Sequence, residues 1–271
     1  MSASYTELTF VGCILFLPFL YESSQRFRYY LKFFLYYSIT ILHSILLIPV
    51  FCFRPKNVQN LLIASYFCKR ISKIIGLNWI LQGKEQLEKD QACIIVSNHQ
   101  SSIDILGMFD IWRIMGKCTV ISKREVLFYS GPFGLAAWLC GLIFIPRMQS
   151  DKAKSIMNNA VENIKRDKIK LWVFPEGTRR NEGKIHPFKK GAFHMAISNQ
   201  LPILPLVYSR YYFLDKEVKR FDHGQVIIHV LPQVETKGLT INDIDTLMEK
   251  VNRDMSEKFA EISKEVTSCN V

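Results

Sequence analysis

From Gln91 onward, short apolar runs alternate with segments of helical periodicity, and this alternation restricts the fold more than any other feature. ACIIVS (92–97), CTVIS (118–122), LIFIP (142–146), LWVF (171–174), ILPLVY (203–208) and VIIHVL (226–231) have strand length and apolar residues at successive positions. A strand that is apolar on both faces must be covered on both faces. Segments 102–115, 123–139, 152–166 and 189–199 read as the covering helices, and 240–264 as a last one. The expected fold class is therefore α/β, a mostly parallel sheet flanked by helices on both faces. Ligands in such sheets lie beyond the carboxyl ends of the strands. Two polar clusters, SNHQSSID (97–104) and FPEGTRR (174–180), fall there.

The first part of the chain is of another kind. Phe33 to Phe53, FFLYYSITILHSILLIPVFCF, is 21 residues without a charge, and about 20 helical residues cross the hydrocarbon of a bilayer. An earlier uncharged run, Leu8 to Tyr21, is shorter and carries Pro18. Arg26, Arg28 and Lys32 precede the long run and Arg54 and Lys56 follow it. One crossing would put these basic flanks on opposite faces, against the positive-inside tendency, whereas a hairpin leaves both on one face. The expectation is an N-terminal hydrophobic helical membrane anchor over 1–57, hairpin or spanning helix, and a globular cytosol-facing domain over 58–271. Residues 58–80 look amphipathic, with Lys69, Arg70 and Lys73 clustered, and suit either a bilayer surface or the flank of the globular domain.

Charge and cysteine usage narrow the partners. Lys and Arg outnumber Asp and Glu 35 to 24, a formal charge of +11, which suits phosphorylated molecules or anionic lipid. Zinc-finger spacing, an aromatic RNP-like strand and a basic heptad helix are all missing, so no nucleic acid is expected. The seven cysteines are scattered without a CxxC pair and read as reduced thiols in apolar surroundings.

SNHQSSID admits two readings. Ser101-x-x-Asp104 matches a capping box at a helix start. Equally, a helix starting near Ser101 lets the Asp104 carboxylate fold back onto one nitrogen of His99, which fixes the tautomer and leaves the other nitrogen as a base. No GxSxG elbow accompanies them, so Ser101 and Ser102 read as caps and the nucleophile must come with the substrate. In FPEGTRR, Gly177 suits a sharp turn and Arg179 can fork onto a phosphate, with Arg180, Lys184, Lys189 and Lys190 adding positive charge; a solvated loop has the same composition. Arg147 ends a third strand run, and LPILPLV (201–207) reads as a shaping wall.

Taken together and in order, NHQSSID (98–104), GLIFIPR (141–147), FPEGTRR (174–180) and LPILPLV (201–207) resemble the four blocks of the 1-acylglycerol-3-phosphate (lysophosphatidate) acyltransferase family, over roughly residues 80–235. KREVLFYSGPFG (123–134) is similar to that family's linking segment. The resemblance implies His99 as general base and Asp104 as its orienting partner. It implies Arg147, Glu176, Gly177, Thr178 and Arg179 as the binding set for the substrate phosphate, supported by Asn98 and Lys189. Pro146 departs from the polar residue that often precedes the arginine in the family. Acyl-CoA is the implied co-substrate and lysophosphatidic acid the acceptor, with no cofactor and no metal, in the bilayer of the endoplasmic reticulum. Another acceptor head group, a lipid thioesterase and a non-catalytic lipid-binding protein are the alternatives.

Overall fold

The computed structural model describes residues 7, 16–146, 156 and 160–268. Eighteen elements are labelled here in chain order. They are α1 (Gln25–Cys52), α2 (Asn60–Cys68), α3 (Arg70–Ile74), β1 (Leu77–Gln82), α4 (Lys84–Leu87), β2 (Cys93–Ser97), α5 (Asp104–Met115), β3 (Cys118–Lys123), α6 (Arg124–Tyr129), α7 (Pro132–Leu139), β4 (Ile143–Ile145), β5 (Lys170–Val173), α8 (Gly191–Ser198), β6 (Ile203–Tyr208), β7 (Leu214–Asp215), β8 (Arg220–Phe221), β9 (Gly224–Val230) and α9 (Ile244–Ser268). Residues 160–166 are also helical.

Seven strands form one sheet in the order β1-β9-β6-β2-β5-β3-β4. Every pairing is parallel except β6 with β9. Between those two strands runs only the small β7–β8 hairpin, so the chain returns without the crossover helix that a parallel neighbour would need. The central strand β2 is buried along its whole length. Its Cys93 and Ile95 join the core that includes Tyr36, Phe51, Ile71, Leu106 and Trp112, while Ile94 and Val96 join the one with Val161, Phe193, Val251 and Phe259. The alternation of successive side chains thus divides one strand between two cores, α1, α2, α3, α5 and α7 over one face and α8, α9 and 160–166 over the other. Burial pushes the thiol of Cys93 up to about 12, as expected of an inert core group.

The six strands expected from sequence all form. The amphipathic stretch 58–80 is divided, however. Gly76, at φ +77, ends the helical part, and LNWILQ becomes edge strand β1 along β9. The helical stretch 123–139 is likewise broken at Gly131 into α6 and α7.

Helix α1 is bound to the globular part at both ends. Near its start, Arg28 pairs with Asp222 at 3.0 Å and Lys32 Nζ donates to the Asp222 carbonyl at 3.0 Å. Just past its end, Asn57 N–H and Asn60 Nδ2 both donate to the Leu139 carbonyl. A helix of 28 residues, about 42 Å long, therefore runs along the domain instead of standing apart from it. The segment 22–32 is helical apart from Ser24, whose extended backbone separates residues 16–23 from α1 and whose hydroxyl caps Phe27 N–H. The buried stripe of α1 contains Lys32, Tyr36, Thr40 and Ser44 besides Leu47 and Phe51. Its outer face carries Phe34, Leu42, Ile45 and Leu46, of which Phe34 is 65% exposed. Polar inside and apolar outside inverts the pattern of a helix in water. By length and composition α1 qualifies as a membrane helix.

Candidate active site

The site is assembled at the carboxyl ends of β2, β5 and β6. Leaving β2, Asn98 turns its amide onto the backbone of Tyr208 at the end of β6. Nδ2 donates to the Tyr208 carbonyl at 3.0 Å and Oδ1 accepts from Tyr208 N–H at 2.8 Å. Gln100 repeats the device one step on, donating from Nε2 to the Ser209 carbonyl at 2.9 Å. With Asn98 and Gln100 buried and pinned, His99 between them points the other way. Its side chain is 16% exposed.

Asp104, the first residue of α5, holds the loop closed. Its Oδ1 accepts from Ser101 N–H at 3.0 Å, and its Oδ2 accepts from Gln100 N–H at 2.9 Å and lies 2.7 Å from His99 Nδ1. All three partners are donors, so His99 carries its proton on Nδ1 and presents a lone pair at Nε2. One carboxylate thus contacts the imidazole and ties back the Gln100 and Ser101 amides, whereas the capping box does not form: the helix starts at Asp104 with Ile103 as N-cap and no side-chain cap hydrogen bond. The Ser101 hydroxyl plays only a weak part, 3.5 Å from Ile103 N–H.

FPEGTRR, after β5, grips His99 from three sides. The Phe174 ring stacks on the imidazole, centroids 4.0 Å apart and planes 19° from parallel. Glu176 Oε1 accepts from His99 N–H at 2.8 Å, and Arg180 N–H donates to the His99 carbonyl at 2.9 Å. The other oxygen of Glu176 accepts from His186 N–H at 3.1 Å. Both oxygens being engaged on backbone amides, Glu176 holds the histidine loop and does not offer a ligand to phosphate, which a carboxylate would repel in any case. Gly177, at φ +69, forms the turn, and a side chain there would meet Lys189 Nζ at 2.8 Å. This leaves Thr178, Arg179 and Lys189 exposed on the side where an anion would approach. Arg179 Nε–H points at His99 Nε2 from 3.4 Å. Arg147 lies outside the described residues. Among the described residues, no cluster of three or more His, Cys, Asp or Glu side chains is arranged to hold a metal ion.

Several contributors escaped the sequence reading. Phe174 stood inside a quoted motif, yet its stacking depends on β5 lying beside β2. Tyr36 and Tyr37 come from α1: Tyr36 Oη donates to the Ser102 carbonyl at 3.0 Å, and Tyr37 Oη shares a hydrogen bond with Ser102 Oγ at 2.9 Å. Nothing in a hydrophobic run announces such a reach to the loop between His99 and Asp104.

Burial raises the Glu176 carboxyl from its ordinary 4.5 to about 7, against the lowering effect of the two amide hydrogen bonds. The native state consequently binds more protons than the unfolded chain between those values. The stability that Glu176 contributes is fully present below about 4.5 and is lost as the pH rises through about 7. Glu176→Gln should flatten this slope and, with one acceptor replaced by a donor, lower turnover by about tenfold or more. Melting temperature against pH for both proteins tests this; parallel curves would contradict it.

The Acyltransferase family profile matches residues 78–209, the span from β1 to the end of β6. Human 1-acyl-sn-glycerol-3-phosphate acyltransferase alpha is 39% identical over 94% of this chain and 90% of its own length. The human beta enzyme is 36% identical over 93% of this chain and 91% of its own, and the Saccharomyces cerevisiae enzyme 35% over 76% and 68%. Among solved structures, the 1-acyl-sn-glycerophosphate acyltransferase PlsC of Thermotoga maritima superposes with a TM-score of 0.67, covering 88% of this chain and 97% of that one at 22% identity, a likeness of fold. Identity at this level along nearly the whole length of the human enzymes leaves one assignment: the chain belongs to the 1-acyl-sn-glycerol-3-phosphate acyltransferase family.

Proposed function

We propose that this protein transfers a fatty acyl group from acyl-CoA to the sn-2 hydroxyl of 1-acyl-sn-glycerol 3-phosphate, forming phosphatidic acid and free CoA. The observation that carries the reading is the adjacency of base and anion receptor, Arg179 Nε lying 3.4 Å from the lone-pair nitrogen of His99. In the acceptor, hydroxyl and phosphate sit on neighbouring carbons. A phosphate drawn to Arg179, with Lys189 and Thr178 beside it, therefore carries the hydroxyl to Nε2.

His99 Nε2 takes the hydroxyl proton as the oxygen attacks the thioester carbonyl carbon. The tetrahedral intermediate collapses with cleavage of the carbon–sulfur bond, and the proton passes from Nε2 to the leaving thiolate. That thiol has an ordinary pKa of about 8.5 by analogy with cysteine, so the donor is already activated and no acyl-enzyme is required. The Asp104 carboxylate keeps Nδ1–H oriented and stabilises the transient imidazolium. Arg179 Nε–H covers Nε2 from 3.4 Å. An incoming phosphate competes for the guanidinium and uncovers the base, which favours the phosphorylated alcohol over water as nucleophile.

Residues 1–57 serve in this reading as the membrane attachment and 58–271 as the acyltransferase domain. The apolar outer face of α1 lies in lipid at the endoplasmic reticulum, with the domain on the cytosolic side. The exposed Phe128 and Tyr129 of α6 and Leu135 of α7, on elements packed together beside α1, add to that apolar rim.

Initial rates with a panel of lysophospholipid acceptors, run on wild type and Arg179→Ala, test the function. Charge-assisted hydrogen bonds contribute about 1.5–3 kcal/mol, so the variant should lose about 10- to 100-fold in kcat/KM for phosphate-monoester acceptors and little for zwitterionic ones. Acyl-CoA hydrolysis without acceptor should rise relative to transfer. An unchanged acceptor preference would overturn the assigned pocket.

A further inference from the structure

The basic cluster of α2 and α3 has no part in the site just described. Lys69, Arg70 and Lys73 lie on this short helical edge, and Arg113 is exposed on neighbouring α5. No salt bridge within the described residues engages any of the four. Asp110, also on α5, interacts with Lys69 and Lys73 and is the carboxylate that opposes them. Four cations against one carboxylate leave a strongly positive edge.

Large apolar side chains lie exposed beside these cations. Tyr66, Phe67 and Ile74 are 42%, 37% and 55% exposed. The Arg70 guanidinium lies over the Tyr66 ring, 4.7 Å from its centroid, with Nη2 directed at the phenol oxygen. Tyr66, Leu62, Ile63, Arg113 and Gly116 line an open groove of about 580 Å³, which has the size of a small-ligand site. Phe67 meets His43 of α1, ring centroids 6.0 Å apart, so this edge continues the apolar outer face of α1.

We infer that the α2–α3 edge is a binding site for an anionic phospholipid of the bilayer, distinct from the acceptor site. The headgroup phosphate lies among Lys69, Arg70, Lys73 and Arg113, and the upper acyl chain lies along Leu62, Ile63 and Tyr66. Aromatic rings with cations at their polar edge match the level at which headgroup gives way to hydrocarbon. Continuity with the α1 face selects a bilayer lipid over a soluble phosphate compound such as the nucleotide part of CoA. The inference rests on the membrane attachment proposed above and not on acyl transfer.

The test uses the full chain in a neutral detergent, titrated with dioctanoyl phosphatidylglycerol and with dioctanoyl phosphatidylcholine while tryptophan fluorescence is read. A cation near anionic lipid contributes about 1 kcal/mol, about fivefold in affinity. Wild type should prefer phosphatidylglycerol by at least about tenfold, and added salt should weaken that preference. Lys69→Gln/Arg70→Gln/Lys73→Gln should lose the preference, whereas Arg179→Ala should keep it. Equal affinities in wild type, or a preference that survives the triple substitution, would overturn the site. A raised KM for acyl-CoA in the triple variant with unchanged lipid preference would assign the cluster to CoA and overturn it too. Transfer activity, measured in parallel, shows that the triple variant is folded. A wild type that binds lipid selectively but transfers nothing would refute the proposed function and leave this site standing.

Discussion

His99→Ala should lower acyl transfer by about 10²–10⁴-fold, the range a positioned imidazole contributes, and leave the rate that binding alone supports. The residue is held at its backbone, at Nδ1 and on one ring face: N–H on Glu176, carbonyl on Arg180 N–H, Nδ1 on Asp104, and the ring plane against Phe174. The backbone contacts do not need the imidazole, so the variant should keep its fold and its acceptor affinity. A loss in kcat with nearly unchanged KM is the expected pattern, since proton transfer occurs only in the transition state. Steady-state rates alongside a thermal melt check this. Transfer at wild-type speed in a folded His99→Ala protein would remove the mechanism altogether.

Asp104→Asn should lower turnover almost as far, about 10²–10⁴-fold, for a different reason. The wild-type carboxylate accepts from three donors, His99 Nδ1–H and the N–H groups of Gln100 and Ser101. An asparagine with its oxygen in the Oδ1 place still accepts from Ser101 N–H, but its NH2 then faces both Gln100 N–H and Nδ1. The imidazole must turn its lone pair to that NH2 and carry its proton on Nε2, where the base is needed. Arg179 Nε–H, now opposed by a second donor, would be pushed off the ring. The resulting site keeps the Ser101 tie, loses the acceptor of the Gln100 amide and holds the wrong tautomer. Nitrogen NMR of labelled histidine distinguishes the two tautomers directly. A wild-type Nδ1–H signal together with low activity would mean that the substitution acts by another route.

The legible and the hidden parts of this protein separate along a physical line. ACIIVS and ILPLVY could be read as buried strands because a parallel sheet covered on both faces demands apolar side chains at every position, and composition alone records that demand. His99 and Asp104 could be paired because five residues span a strand-to-helix turn and local geometry brings them together. LNWILQ was hidden. Its mixed pattern resembles the tail of the preceding amphipathic helix, and only hydrogen bonding to β9, almost 150 residues later, makes it a strand. Glu176 was misjudged for a similar reason: a carboxylate beside arginines looks like part of a charged pocket, whereas its partners are two main-chain amides that no sequence pattern displays.

The alternation of apolar runs with helical segments already pointed to an α/β sheet covered on both faces, and the uncharged run of 21 residues to a helix long and apolar enough to cross a membrane. Residue types and short-range spacing settle what depends on neighbours in the chain: the strands, the turn after β2 and the contact between imidazole and carboxylate. Tertiary structure decided which way α1 faces, that both its ends are tied to the domain, and that Phe174 and Glu176 clamp the histidine. Those are contacts between segments far apart in sequence, formed only because burying both faces of one sheet brings those segments together.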